Sequence, residues 1–255
     1  KTKQLYANVQ SVSAWGGEDN DVPFYGRVYI SILPTSGSNL TESTKSRIIT
    51  DLKKYSVASV TPVIVDPEIT NIILRSSIKF DQTATTKVAD AIKSDVITTI
   101  TNYNANTLQS FDNMFRHSKM TGLIDDTDES ILSNVTTVQL RKSFTPTIGS
   151  SQKYSVAFSN ALYNPHSGHA SDGGGILSST GFKIDGNTTD VFYLDDDGNG
   201  NVRRYKMDGS ARSYANATQG TIDYSSGLVE INSLNVSNIE NIRGAASTVI
   251  EITVK

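Results

Sequence analysis

Apolar and polar residues alternate most clearly between residues 24 and 33, directly after a loop rich in glycine and acidic residues. A period of two residues predicts a β-strand. The glycines and acids of residues 16–21 predict a tight loop before this strand, and Pro23 suits a strand's first position. One face of the strand is expected to carry Phe24, Gly26, Val28, Ile30 and Ile32, and the other Tyr25, Arg27, Tyr29, Ser31 and Leu33.

Two later stretches have the spacing of amphipathic helices. The first is predicted to begin at a cap formed by Thr41 or Ser43 and to carry apolar residues as far as Tyr55. The second runs from about residue 85 to Tyr103, where apolar side chains recur every four residues. Both helices have a single apolar face, so each must cover a sheet.

Further elements complete the first part of the chain. Strands are predicted at residues 61–65, 71–80 and 131–144, and a short helix within 111–124 is predicted to end at Gly122. The order strand, helix, strand, helix, strand predicts an α+β lobe of the split βαβ type, with two helices on a sheet.

The pattern changes after about residue 145, where short apolar runs alternate with turns rich in Gly, Asp, Asn and Ser. Several short strands separated by such turns predict a small all-β lobe, a sandwich or a barrel. We therefore expect an N-terminal segment with a Gly/Asp loop at residues 1–23, an α+β domain at 24–145 and an all-β domain at 146–255.

The composition narrows the classes of function. The 255 residues carry a net charge of −3 and contain no cysteine. The balance of charges gives no basis for nucleic-acid binding, and the lack of cysteine removes disulfides and thiolate chemistry. No apolar run approaches the roughly 18 residues of a membrane span, and no signal-peptide pattern opens the chain. We expect no membrane insertion and no cofactor.

One segment resembles the start of a calcium-binding loop. Asp195, Asp197 and Asn199 alternate before Gly200, which is the pattern of side-chain oxygens that calcium requires. The position of the bidentate glutamate is Lys206, however, and both flanks read as strands rather than helices. An ordinary hairpin turn is the favoured interpretation, with a weak calcium site as the alternative.

Other groups of polar residues are weaker candidates for chemistry. His166, His169 and Asp172 could hold zinc, but their glycine-rich segment predicts a surface loop. The carboxylates of residues 18–21 and 125–129 lie in predicted turns, and His117 is expected on a helix surface. No catalytic motif for hydrolysis or nucleotide binding is present. We predict a protein without enzymatic activity.

Three segments resemble a known family of structural proteins. Residues 11–34 (SVSAWGGEDNDVPFYGRVYISILP), 61–81 (TPVIVDPEITNIILRSSIKFD) and 220–232 (GTIDYSSGLVEIN) are similar to the wedge proteins that form the inner ring of the baseplate in T-even-type contractile-tailed phages. These belong to the wider baseplate J-like family. The resemblance implies the C-terminal part of such a protein, a homodimer contact that closes the ring, and contacts with other wedge proteins.

The same resemblance implies a location in the tail baseplate of the virion, with assembly in the host cytoplasm. Within the chain, Trp15, Tyr25, Arg27 and Tyr29 are residue types enriched at interfaces and are our candidates for the contact. For Trp15, a small core anchor is the favoured alternative. The second hypothesis for the whole chain is a receptor- or glycan-binding β module.

Overall fold

The structure, a computed structural model, describes residues 2–20, 22–55, 60–111 and 113–255. They form two compact units, the first from residues 1–69 and 76–136 and the second from residues 70–75 and 137–255. The α+β lobe and the all-β lobe expected from the sequence are confirmed. The finer division into residues 1–23, 24–145 and 146–255 stays a prediction.

A small three-stranded sheet opens the first unit, after a short helix, α1 (Thr2–Leu5). Strand β1 pairs antiparallel with β2, and β2 pairs parallel with β3. Helix α2 lies between β2 and β3 in the chain, as the parallel pairing of these strands requires. The bounds are β1 (Val9–Gly16), β2 (Arg27–Pro34), α2 (Glu42–Lys53) and β3 (Thr61–Val65).

Helix α2 begins where the sequence predicts a cap. Of the two candidate residues, Thr41 caps the helix, and its hydroxyl accepts the backbone N–H of Thr44 at 3.3 Å. The apolar face of α2 packs on the sheet through Ile48, which is 2% exposed. Ile30 and Ile32 of β2 belong to the same buried cluster, so one face of β2 forms the core of this lobe.

The rest of the first unit contains two helices and parts of two long strands. Helix α3 starts four residues later than predicted, because Thr85 accepts the N–H of Lys87 and holds a turn there. The prediction that α4 ends at Gly122 is wrong, since the helix continues to Asp125 and buries Ile124 completely. The bounds are β4 (Asn71–Phe80), α3 (Ala89–Tyr103), α4 (His117–Asp125) and β5 (Ile131–Phe144).

A barrel dominates the second unit. Its five strands follow the order β10-β11-β12-β8-β9, and β9 closes the ring by pairing antiparallel with β10. From β9 the sheet continues through β7 and β13 to β5 and β4, while β6 pairs with β12. The bounds are β6 (Ser151–Ala157), β7 (Ser178–Ser179), β8 (Phe182–Ile184), β9 (Asn187–Asp196), β10 (Asn201–Asp208), β11 (Ala211–Asp223), β12 (Leu228–Ile239) and β13 (Ile250–Val254).

The barrel core is apolar and fully enclosed. Phe182, Leu194, Val202, Ile231 and Leu234 are each completely buried in one hydrophobic cluster. The sequence pattern predicted several short strands in this part of the chain, whereas β11 and β12 are long, with 13 and 12 residues. Within the described residues, no helix is both long enough and apolar enough to cross a bilayer.

The buried carboxylate of Asp196 fixes one end of the barrel. Asp196 is fully buried, and its Oδ1 accepts the backbone N–H groups of Ile176 and Leu177, each at 2.7 Å. Its Oδ2 accepts the N–H of Gly198 at 3.1 Å and the hydroxyl of Tyr224 at 2.6 Å. Burial first, and then the hydrogen bond to Asp196, raise the pKa of Tyr224 well above its usual range. The phenol therefore remains a donor.

We expect Asp196→Asn to lower the free energy of unfolding by about 2 to 4 kcal/mol, because an amide NH₂ group cannot accept the bonds that Oδ2 accepts. Chemical denaturation measures the change. Asp208→Asn, at an exposed strand end, is the control and should change stability by less than about 0.5 kcal/mol. Equal effects of the two substitutions would contradict this role of Asp196.

A second carboxylate stabilises the turn before β5. Asp128 accepts the hydroxyl of Ser130 at 2.6 Å and its N–H at 3.0 Å, and Lys87 lies 2.9 Å away. These partners, the hydroxyl of Ser130 foremost, lower the pKa of Asp128 from 3.8 to about 2. A carboxyl whose pKa falls on folding stabilises the fold above its ordinary pKa, and this contribution disappears as the pH drops through the lowered value.

Asp128→Asn should therefore destabilise the protein most above about pH 4. The loss of stability should become smaller as the pH falls toward 2. Thermal melting of both proteins across this range tests the convergence. The neighbouring Asp126, which is exposed, provides the control Asp126→Asn. A difference in melting temperature between wild type and Asp128→Asn that stays constant down to about pH 2 would contradict a stabilising role of the ionised Asp128 carboxylate.

Candidate interaction surface at the first hairpin

The loop between β1 and β2 is folded back on itself at Gly17. Residues Gly17–Asp19 form a single 3₁₀ turn, and the N–H of Phe24 donates to the carbonyl of Gly17 at 2.8 Å. A Cβ atom at Gly17 would lie 2.0 Å from the Phe24 carbonyl oxygen. Glycine is therefore required here by close backbone approach. The predicted loop residue Asp21 lies outside the described residues.

The side chain of Trp15 packs against β2, the strand that follows the loop. Trp15 is directly opposite Tyr29 in the β1–β2 register, and the two rings stack at 6.0 Å with an interplanar angle of 15°. The indole N–H donates to the Asn20 side chain at 2.9 Å. Trp15 is partly exposed and does not join the buried cluster beneath β2. It forms a fixed aromatic surface on the hairpin.

Exposed apolar residues lie in the loop that leads into β2. Val22 is 67%, Phe24 47% and Tyr25 82% exposed, and the Arg27 guanidinium lies 5.0 Å from the centre of the Phe24 ring. Large apolar side chains grouped on a surface are typical of interaction sites. We call this the hairpin-tip surface, formed by Trp15, Val22, Phe24, Tyr25, Arg27 and Tyr29.

The structure brings the predicted candidates together in part. Trp15 and Tyr29 touch across the strands, and the Arg27 guanidinium lies over the ring of Phe24, a residue that the sequence analysis placed on the opposite face of the strand from Arg27. That assignment is wrong because β2 starts only at Arg27, and Gly26 adopts a φ of 75° in the preceding turn. In the sequence, Gly26 is the signal from which a turn at this point, and not a continued alternation of apolar and polar residues, could have been predicted.

The opposite face of β2 is also less exposed than expected. Ser31, which was predicted on the same face as Arg27 and Tyr29, is only 3% exposed, and its hydroxyl has no hydrogen-bond partner among the described residues. On this face of β2, Arg27 is exposed, Tyr29 and Leu33 are partly exposed, and Ser31 is buried. Arg27 and Tyr29 lie at the end of the strand next to the hairpin loop.

The segment that resembles a calcium loop closes the β9–β10 hairpin. Asp195 is 1% exposed, and its carboxylate binds Arg203 Nε at 2.9 Å, Arg212 Nη1 at 2.7 Å and the Tyr214 hydroxyl at 3.0 Å. Burial first, and then Asp195, raise the pKa of Tyr214. The oxygens of Asp195 are therefore already committed to two cations and a phenol.

Asp197 faces a different set of partners. Its Oδ1 accepts the N–H groups of Asn199 and Asn201, at 2.8 and 3.0 Å, and its Oδ2 accepts the Asn201 side-chain amide at 2.6 Å. These bonds are those of a side chain that stabilises its own turn. The geometry supports the hairpin interpretation, and a calcium site at Asp195, Asp197 and Asn199 stays an untested alternative.

Two of the three histidines lie together, and His117 lies in a different element. His166 and His169 meet edge to face with ring centres 5.1 Å apart, whereas His117, at the start of α4, contacts the Thr136 carbonyl at 2.8 Å. Asp172 lies in a separate 3₁₀ turn. Across the described ranges, no three His, Asp or Glu side chains are grouped so that they could hold a metal ion.

Substitution of Gly17 tests the geometry of the hairpin tip. Gly17→Ala should cost about 1 to 3 kcal/mol, because the methyl group displaces the Phe24 carbonyl. Fluorescence of Trp15, the only tryptophan, should change with it. Gly122→Ala is the matched control, since a Cβ there meets no atom within 4 Å and should stabilise α4 by up to about 1 kcal/mol. Unchanged stability and fluorescence in Gly17→Ala would contradict the close approach.

Comparison with known proteins gives consistent matches over the first part of the chain. Residues 1–65 match the family model of the baseplate structural protein gp6, C-terminal domain I, and residues 68–143 match C-terminal domain III of the same protein. The hairpin-tip surface lies inside the first match, and β4 and nearly all of β5 lie inside the second.

Among curated proteins, the chain is similar to the baseplate wedge protein gp6 of Enterobacteria phage T4. The two are 27% identical over 115 residues, which is 45% of this chain and 17% of that protein. The chain therefore spans well under two thirds of the relative that it matches. The two family matches together cover more than half of the 255 residues. The chain belongs to the family of gp6 baseplate structural proteins, with residues that match its C-terminal domains I and III.

Proposed function

We propose that this chain is part of a structural component of a phage tail baseplate. It contributes to the wedge and inner ring by self-association and by contacts with other wedge proteins, and its place is the tail baseplate of the virion. The observation that carries this proposal is the pair of consecutive matches to C-terminal domains of a baseplate structural protein. The glycan-binding alternative is not favoured by these matches.

Absence of catalysis is part of the same proposal. The family description names a structural protein. The acids that might have formed an acid–base pair serve other roles, since Asp128 holds Ser130 and Lys87, and Asp125 accepts the Asn134 side chain at 2.7 Å. Acids engaged in turns and ion pairs are typical of structural positions rather than of a reactive cleft.

The hairpin-tip surface is our candidate for contact with a second copy of the chain. Aromatic residues and arginine are enriched in interface centres, and the Trp15–Tyr29 stack presents them with little side-chain freedom left to lose. Glu18 and Asp19 lie exposed in the loop that precedes β2, which begins at Arg27. A two-fold contact would thus oppose acids of one copy to the arginine of the other, and such a contact is self-complementary.

We expect Tyr25→Glu to weaken self-association about tenfold or more, because an aromatic anchor in an interface centre typically contributes at least about 1.4 kcal/mol. Sedimentation equilibrium over a concentration series measures the change, and Trp15 fluorescence reports the local environment. Tyr163, which is 66% exposed and distant in sequence, gives the matched control Tyr163→Glu. Loss of association in both variants, or in neither, would count against the hairpin tip as the contact.

A further inference from the structure

His166 and His169 occupy the two ends of one β-turn. The N–H of His169 donates to the carbonyl of His166 at 3.1 Å, and Gly168, the third residue of the turn, has a φ of 73°. A type II turn requires a positive φ at this position, which favours glycine. The turn brings the two imidazole rings together, with their centres 5.1 Å apart.

The β9–β10 hairpin holds this turn in place. The N–H of Gly168 donates to the carbonyl of Gly198 at 3.0 Å, and the hydroxyl of Ser167 donates to the side chain of Asn199. A Cβ atom at Gly198 would lie 2.6 Å from the backbone nitrogen of His169, so the two segments are in close contact. The N–H of Gly198 donates in turn to the buried carboxylate that fixes the end of the barrel. The two histidines are therefore presented by a supported turn, and all of these residues belong to the second unit.

The hydrogen on one of the two rings can be assigned. Nδ1 of His166 lies 3.1 Å from the carbonyl oxygen of Ser167, and since a carbonyl oxygen can only accept, Nδ1 carries the hydrogen. In a neutral imidazole the other nitrogen, Nε2, then has a free lone pair. A ring N–H that donates to a backbone carbonyl is also the support that metal-ligating histidines usually have. The ring of His169 is oriented by Tyr163, which it meets edge to face with ring centres 5.3 Å apart.

The nitrogens that face each other are separated by the distance expected for two ligands of one tetrahedral ion. Nε2 of His166 lies 3.4 Å from Nδ1 of His169. Ordinary N–H···O hydrogen bonds are shorter, at about 2.7–3.2 Å. Two nitrogens that bind zinc at about 2.0–2.1 Å with a tetrahedral angle between them lie about 3.3–3.4 Å apart. Neighbouring ligands of a square-planar ion, at a right angle, would be only about 2.8–3.0 Å apart.

We propose that Nε2 of His166 and Nδ1 of His169 bind one zinc ion, with water molecules as the remaining ligands. Imidazole nitrogen is a favourable ligand for zinc. Asp172, the third residue considered from the sequence, is not part of the site because it lies in a separate turn, and no third His, Asp or Glu joins the pair within the described part of the chain. The ion connects the two ends of the turn and so stabilises the loop on the β9–β10 hairpin.

Zinc binding at these atoms requires a change of tautomer in one ring only. In the protein without metal, Nδ1–H of His169 donates to Nε2 of His166, because the hydrogen of His166 is already on Nδ1. In the zinc-bound protein the hydrogen of His169 is on Nε2, which frees its Nδ1 lone pair for the ion. Both rings stay neutral, and His166 keeps its bond to the carbonyl of Ser167.

Calorimetric titration with zinc chloride tests the site, on chain made without a histidine tag and stripped of metal with EDTA. The wild type should bind one zinc ion per chain, and its melting temperature should rise with zinc. His166→Ala and His169→Ala should each weaken binding about tenfold or more, since even loss of a supporting hydrogen bond costs a zinc site that much. His117→Ala is the control and should leave the affinity unchanged, because His117 belongs to the first unit. No binding by the wild type at millimolar zinc, or equal binding by all three variants, would overturn the proposal.

A matched pair of substitutions at Gly168 tests the turn while both histidines remain. Asparagine adopts a positive φ more readily than most residues, so Gly168→Asn should weaken zinc binding less than about threefold. Valine is β-branched and avoids this conformation, so Gly168→Val should weaken binding about tenfold. A Cβ atom at Gly168 meets no atom within 4 Å, so neither variant creates a clash there. Equal affinities of the two variants would contradict a site built by the turn.

Nitrogen-15 NMR of the imidazole rings identifies the ligating atoms. Zinc should shift the signals of His166 Nε2 and His169 Nδ1, leave those of His117 in place, and move the hydrogen of His169 to Nε2. Ligation through other nitrogens, or an equal shift of the His117 signals, would show adventitious binding and refute the proposed site.

Discussion

The pairing of β9 with three different strands is the constraint on which the second unit depends. β9 pairs with β8, closes the barrel by pairing with β10, and continues the sheet beyond the barrel by pairing with β7. It ends in two adjacent carboxylates that lie on opposite faces, since Leu194 and Asp196 are buried with the core while Asp195 binds the arginines outside it. Each carboxylate needs its full set of donors, because an unpaired buried charge is costly. The end of β9 is therefore held in one position.

The three-stranded sheet of the first unit depends on more local interactions. It is covered by the amphipathic helix α2, and the core between them consists of a few aliphatic residues around Ile32 and Ile48. A core of this size leaves the far end of the β1–β2 hairpin without cover. The aromatic stack of Trp15 and Tyr29 and the close approach at Gly17 fix the hairpin there instead. An exposed surface that is also rigid is well suited to contact a partner, because little order must be imposed on binding.

Much of this fold could be predicted from the sequence, and the failures have physical causes. Strands with alternating apolar residues, such as residues 71–80, and the helix capped at Thr41 carry local signals that packing reinforces. Most of β11 is built from small polar residues, so its strand conformation comes from pairing with β10 and not from its own pattern. Gly122 looked like a helix end, yet burial of Ile124 carries α4 past it. The contact of Trp15 with Tyr29 could not be predicted, because it depends on the register between β1 and β2, which residue types alone do not determine.

Two of the three boundaries between the two units fall inside strands. The boundary at residues 75/76 lies within β4 and the one at 136/137 within β5, whereas the boundary at 69/70 lies just before β4. The family match at residues 68–143 instead begins just before β4 and ends one residue short of the end of β5. The segment that matches this family model therefore contains both strands, and it contributes residues to both compact units.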